Sequence, residues 1–295
     1  TATVTVTADN GDITMANGAS TLGTSGVSLT ATGTVRLGVI AGNQISVTAD
    51  SDSSGSGSIL DNTLAETANI STTGTATLSA AAGIGSSGAG DIDTSVQTIV
   101  ATNTAAGGIF LHETSQLVIA GVGVRTQSGN GNISIDVDAG NLTVNSVVSA
   151  HGSGSVSLNA DAGSITLAAV VSSTSGSISV TADSVNQASG GNLGTGGAST
   201  ITVTADNGNI TMADGTTTTS ANGTINYTST GSIALSSLVS TDAQIFVTAD
   251  SNTNATGAIT DNTAADDANL TTANTVTLTA AQGIGSGNNL HTNIN

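Results

Sequence analysis

The sequence predicts an all-β protein: one continuous parallel β-solenoid over residues 1–295, built from coils of roughly 22 residues with no capping elements. Three observations predict it. Six-residue segments of alternating apolar and polar residues recur along the whole chain. Corners rich in Gly, Asn and Ser separate them. A ten-residue string, VTADNGDITM at 6–15, returns as VTADNGNITM at 203–212.

The strand-like leads begin at Val4, Val27, Ile45, Ala76, Ile109, Ile133, Val156, Ile178, Ile201, Ile225, Ile245 and Val276. Their first, third and fifth places are nearly always apolar, as in Ile133/Ile135/Val137 and Ile178/Val180/Ala182, and the places between are mostly Thr or Ser. Period-two alternation over five or six residues is the pattern of a half-buried strand. Most leads follow one another at about 22 residues. The long gaps, from Ile45 to Ala76, Ala76 to Ile109 and Ile245 to Val276, read as coils carrying an extra segment such as GSILDN at 57–62. Ordering one coil costs about 1–2 kcal/mol per residue of backbone entropy. Its six or so apolar side chains return only roughly 1.5–3 kcal/mol each. A coil alone therefore cannot fold, and the sequence must repeat so that neighbours complete each core.

The corners often follow an Asp: Asp9-Asn10-Gly11, Asp138-Ala139-Gly140, Asp161-Ala162-Gly163 and Asp206-Asn207-Gly208. The expected local structure is an Asx turn, the carboxylate accepting from an amide two residues on, with Gly at positive φ. Asp138, Asp161, Asp183 and Asp206 close four successive coils, so stacking at about 4.8 Å would align them into a ladder. Such a ladder is a candidate site for Ca²⁺ or another divalent cation, although the GGxGxDxUx calcium nonapeptide is absent. No other cofactor is predicted.

A second, longer period exists. Residues 1–98 duplicate 198–295, and 99–197 lie between the copies. ILDNTLAETANI (59–70) matches ITDNTAADDANL (259–270), and ATLSAAAGIGS (76–86) matches VTLTAAQGIGS (276–286).

Composition narrows the function. There is no Cys, Pro, Trp or Lys, aromatics are 1%, and the formal net charge is −18 with Arg36 and Arg125 as the only strong cations. Nothing is available to neutralise phosphates, which excludes nucleic acid and disfavours anionic lipid. No apolar run is long enough to cross a membrane as a helix. The residues do not suggest an enzyme. His112, His151 and His291 lie in different coils, and GIGSSG at 83–88 lacks the Lys of a phosphate-binding loop. His112-Glu113 is the one local acid–base pair, and Glu113 falls in a nominally inward slot, which predicts a bulge that slips the register there. Outward Thr/Ser pairs, including Thr5/Thr7, Ser46/Thr48, Thr202/Thr204 and Thr277/Thr279, form a possible surface for cations, glycans or ice.

The texture of ISVTAD (45–50), GNISIDVDAGNLTV (131–144), GSITLAA (163–169), VTLTAAQGIGS (276–286) and GDIDTSVQTIVATNTAAGGIFLHE (90–113) resembles filamentous-haemagglutinin-like surface proteins. It is similar above all to the very large repetitive β-helical proteins of environmental bacteria. That resemblance implies a right-handed β-helix, secreted and displayed at the cell surface as a rod or fibre. The expected function is thus a non-catalytic segment of an extracellular fibre, filament or adhesin stalk. Its partners would be copies of itself or a continuing chain, and a host or neighbouring-cell surface. The alternative is a surface-binding module using the Thr and Asp rows.

Overall fold

The structure is a computed structural model that describes every residue except Thr1, Asp266, Gly287 and Asn295. The repeat match at 259–270 therefore includes one position, Asp266, outside the described residues. The chain is all-β: parallel strands stack into a β-solenoid of about 13 turns with about 23 residues per turn, and no helix is present among the described residues.

Each turn contributes three short segments, and segments of successive turns pair in parallel to form columns. In the N-terminal part the first column contains Thr3–Ala8, Gly26–Ala31, Ile45–Thr48 and the later residues of Ile70–Ala80 and Ile92–Asn103. The second contains Ile13–Thr14, Val35–Leu37, Ile59–Asp61 and, through single bridges, Ile84 and Ile109. The third contains Ser20–Gly23, Val39–Gly42 and residues 70–72 and 94–96.

The second column alone runs on unchanged, through Ile109–Glu113 and Ile133–Val137 to Ile245–Ala249 and Val276–Thr279. The first column divides at Leu117–Thr126. Residues 117–119 continue into Leu142–Val144, and 124–126 into Val148–Ala150. Between them the chain bows outward at Gly121 and Gly123, whose φ of 61° and 87° suits glycine. The third column joins the second at this level: Thr94, stacked on Ile70, pairs onward with Glu113 of Ile109–Glu113.

This rearrangement changes the meaning of the long repeat. Ile13, Val35, Ile59, Ile84, Ile109, Ile133, Val156, Ile178 and Ile201 are nine successive levels of one column, hence eight turns. Val4 precedes Ile13 by one segment, so the offset from Val4 to Ile201 is eight turns plus one face. The first four leads lie on the first column, and those from Ile109 onward lie on the second. The gap from Ala76 to Ile109 is therefore not a coil with an inserted segment. It is one turn, Ala76 to Ile99, followed by passage to the next face. The gaps from Ile45 to Ala76 and from Ile245 to Val276 are single turns, since those residues pair directly.

The alternation does what the pattern requires. Val47, Val180 and Val203 are fully buried in one continuous apolar core. Val6 is 39% exposed because Thr3–Ala8 pairs on one side only among the described residues. The corners depart from expectation. Their Asp and Asn side chains mostly reach across turns instead of closing local Asx turns: Asp12 Oδ1 accepts from Thr34 N (2.8 Å), Asn132 from Ser155 N (2.9 Å), Asn141 from Ser164 N (2.9 Å) and Asn209 from Ser232 N (2.8 Å). A parallel stack leaves corner amides without ladder partners, and an acceptor one turn away satisfies them. GSILDN at 57–62 is not an extra segment, since it holds the second-column strand Ile59–Asp61. Local Asx bonds follow that strand and its counterpart Ile259–Asp261, from Thr63 N to Asp61 and from Thr263 N to Asp261.

Candidate functional site

Glu113 sets the frame of the site. The predicted bulge is absent: Ile109–Glu113 pairs residue for residue with Ile133–Val137, and Glu113 is fully buried. Its carboxylate is retained there because Oε2 accepts from Thr94 Oγ1 (2.8 Å) and Val96 N (2.9 Å), and Oε1 from Ser115 N (3.0 Å) and Ser115 Oγ (2.8 Å). Burial pushes its pKa up, against the pull of those four bonds. It is a corner clamp, and His112 does not pair with it.

His112 pairs instead with carboxylates from the turns on either side. Ile92, Asp93 and Thr94 stack on Leu111, His112 and Glu113, which puts Asp93 and His112 together in outward slots. Nδ1 of His112 lies 2.8 Å from Asp93 Oδ1, and Nε2 lies 2.7 Å from Asp138 Oδ1. Burial opposes the charged ring, but hydrogen bonds and charge from Asp93 and Asp138 outweigh it and push the imidazole up to about 9. These two contacts are the ion pairs found among the described residues.

Asp91 completes the cluster. It ends the hairpin at 86–91, closed by Ser86 N donating to Gly90 O (2.7 Å). Asp91, Asp93 and His112 each offer a ligand atom, and these atoms lie within 4.8 Å of one another; among the described residues no other group of three or more His, Cys, Asp or Glu does so. Asp93 is only 2% exposed despite its outward slot, and its Oδ2 has no hydrogen-bond partner; Oδ1 of Asp91 is likewise buried and unpartnered. Burial and the charge of Asp93 push the Asp91 carboxyl up to about 6. A polar chain leads into the cluster from below: Asn69 Nδ2 donates to Asp61 Oδ1 (2.6 Å), and Asn69 Oδ1 accepts from Asp93 N (2.9 Å).

The four aspartates picked out by spacing do stand above one another. Val137, Ala160, Ala182 and Ala205 pair in register, and Asp138, Asp161, Asp183 and Asp206 each follow one of them. Their carboxylates are drawn to different neighbours: Asp138 to His112, Asp161 to Asn159 Nδ2 (2.5 Å) and Asp183 to Asn207 Nδ2 (2.6 Å). Sequence reasoning missed Asp91 and Asp93. The available signal was the distance of 19 residues from Asp93 to His112, one coil, in GDID at 90–93.

The Thr rows are divided by the change of face. Thr5/Thr7, Ser28/Thr30, Ser46/Thr48 and Thr77/Ser79 lie on the first column, whereas Ser179/Thr181, Thr202/Thr204 and Thr277/Thr279 lie on the second. They form two arrays pointing a face apart, not one plane. A groove also runs along the third column, past Leu22, Ala41, Ser71 and Ser95, to Ser115.

Comparison of the chain with protein-family models, curated proteins and solved structures gives no match.

Proposed function

We propose that this chain is a structural, non-catalytic segment of an extracellular bacterial fibre, filament or adhesin stalk, displayed at the cell surface. One observation carries the reading. A single column stays in register from Ile13 to Thr279 while the other two are reorganised around it. Continuity of that kind serves length and stiffness, since each turn contacts only its neighbours and adds one strand spacing to the rod. The high negative charge favours solubility and spacing between rods. No helix among the described residues is long and apolar enough to cross a membrane. Copies of the same chain or a continuing chain are the proposed axial partners, with a host or neighbouring-cell surface beyond.

Negative-stain microscopy of the purified chain tests this. About 13 turns at roughly 4.8 Å each give rods roughly 60 Å long, or filaments of the same constant width. Round particles, or turnover of a polysaccharide by the purified chain, would sink the proposal. A second reading, binding through outward rows, is favoured by the unbroken column Thr181, Thr204, Thr228, Thr248, Thr279. Saturable retention on a glycan array, thermal hysteresis, or a rise in melting temperature with Ca²⁺ would each support it. Because the rows face two directions, any ice-like plane would be limited to one half of the rod.

A further inference from the structure

We propose that Asp91, Asp93 and His112 bind a divalent first-row transition-metal ion such as Zn²⁺, with Asp138 positioning the imidazole. Three ligand atoms already lie within 4.8 Å of one another, drawn from two adjacent turns. The independent sign of a missing ligand is that Asp93, 2% exposed, leaves Oδ2 without a partner, and Asp91 of the same cluster leaves Oδ1 buried and unpartnered. Unpaired buried carboxylate oxygens are costly, and a cation between them removes that cost.

The groups behind the ligands fit as well. A metal-ligating His typically passes its other ring N–H to a carboxylate, which fixes tautomer and orientation. Here Nδ1, 2.8 Å from Asp93 Oδ1, would exchange its proton for the ion, and Nε2 sits 2.7 Å from Asp138 Oδ1. Asn69 Oδ1 holds the Asp93 backbone from the other side. An imidazole beside two carboxylates suits zinc-type ions, whereas calcium and magnesium prefer oxygen alone. Three protein ligands leave room for water to complete the shell.

The location gives the ion a task. Asp91 and Asp93 belong to one turn, His112 to the next and Asp138 to the third. The first column splits and the third joins the second at this level, so an ion here ties together the turns where the columns are rearranged.

The test uses the full chain stripped with EDTA, titrated with Zn²⁺ by calorimetry and with Co²⁺ for spectroscopy. One ion per chain is expected, not displaced by excess Ca²⁺, with a melting temperature that climbs with free Zn²⁺. D93N and H112Q should each weaken binding about tenfold or more, and D138N by roughly 10–100-fold. D161N and D183N, in the same stack as Asp138 but away from the cluster, should bind normally. X-ray absorption on the Co²⁺-loaded natural chain should show one imidazole among oxygen ligands, and it needs no variant to fold. Absence of saturable binding, a metal shell without imidazole, or loss of binding in D161N or D183N overturns the assignment.

Discussion

Glu113 shows how one residue can occupy a place its chemistry forbids. It sits among inward valines and isoleucines, yet two backbone amides and two hydroxyls converge on its carboxylate. Glu113→Ala is expected to destabilise the protein by roughly 1–3 kcal/mol, because Val96 N is left buried, and Ser115 N half-buried, without an acceptor. Urea unfolding followed by circular dichroism reads the change, and an effect within 0.5 kcal/mol (the usual range of a surface substitution) would count against the clamp. At this scale the sequence was least legible. Alternation marked Glu113 as inward, but an inward acid with no visible partner read as a slipped register; its four donors lie 2 to 19 residues away, two of them on the neighbouring turn. Asp93 was hidden in the opposite way. Its slot is outward, and only the stacking of one coil on the next brings it against His112.

At the scale of the strand and corner, the alternation rule carried almost everything. Ile133–Val137, Ile178–Gln187 and Ile201–Ala205 fall where their leads were placed, because period two leaves one choice of which face is buried. What the pattern did not reveal is which column a lead belongs to, since every face is built from the same Val, Ile and Thr. Corner bonding was also illegible, because a local Asx turn and a bond to the next turn need the same residue types. The cross-turn bonds have a measurable role. Asn141→Ala removes the acceptor of Ser164 N on the neighbouring turn, with an expected loss of about 0.5–1.5 kcal/mol. Hydrogen exchange should speed up at Ser164 and its neighbours while distant turns stay protected, since the contacts of a solenoid are local. Uniform loss of protection along the chain would contradict that picture.

For the molecule as a whole, charge is the main opposing force. Twenty acidic residues face only two arginines, which leaves a net charge of −18. Acids on successive turns repel at short range, and salt screens them as the Debye length falls from about 30 Å at 0.01 M to about 8 Å at 0.15 M. The melting temperature should therefore climb over that range of NaCl, in EDTA to keep metal out of the comparison. A flat or falling curve in differential scanning calorimetry would mean that repulsion between the carboxylates does not limit stability.

The offset of eight turns and one face has a mechanical meaning. Two identical motifs separated by a whole number of turns would project along one line and add their local bends, curling a long rod into an arc. Advancing by a face instead winds those features around the axis like the thread of a screw. Three such units in succession would present the same motif in three directions in turn.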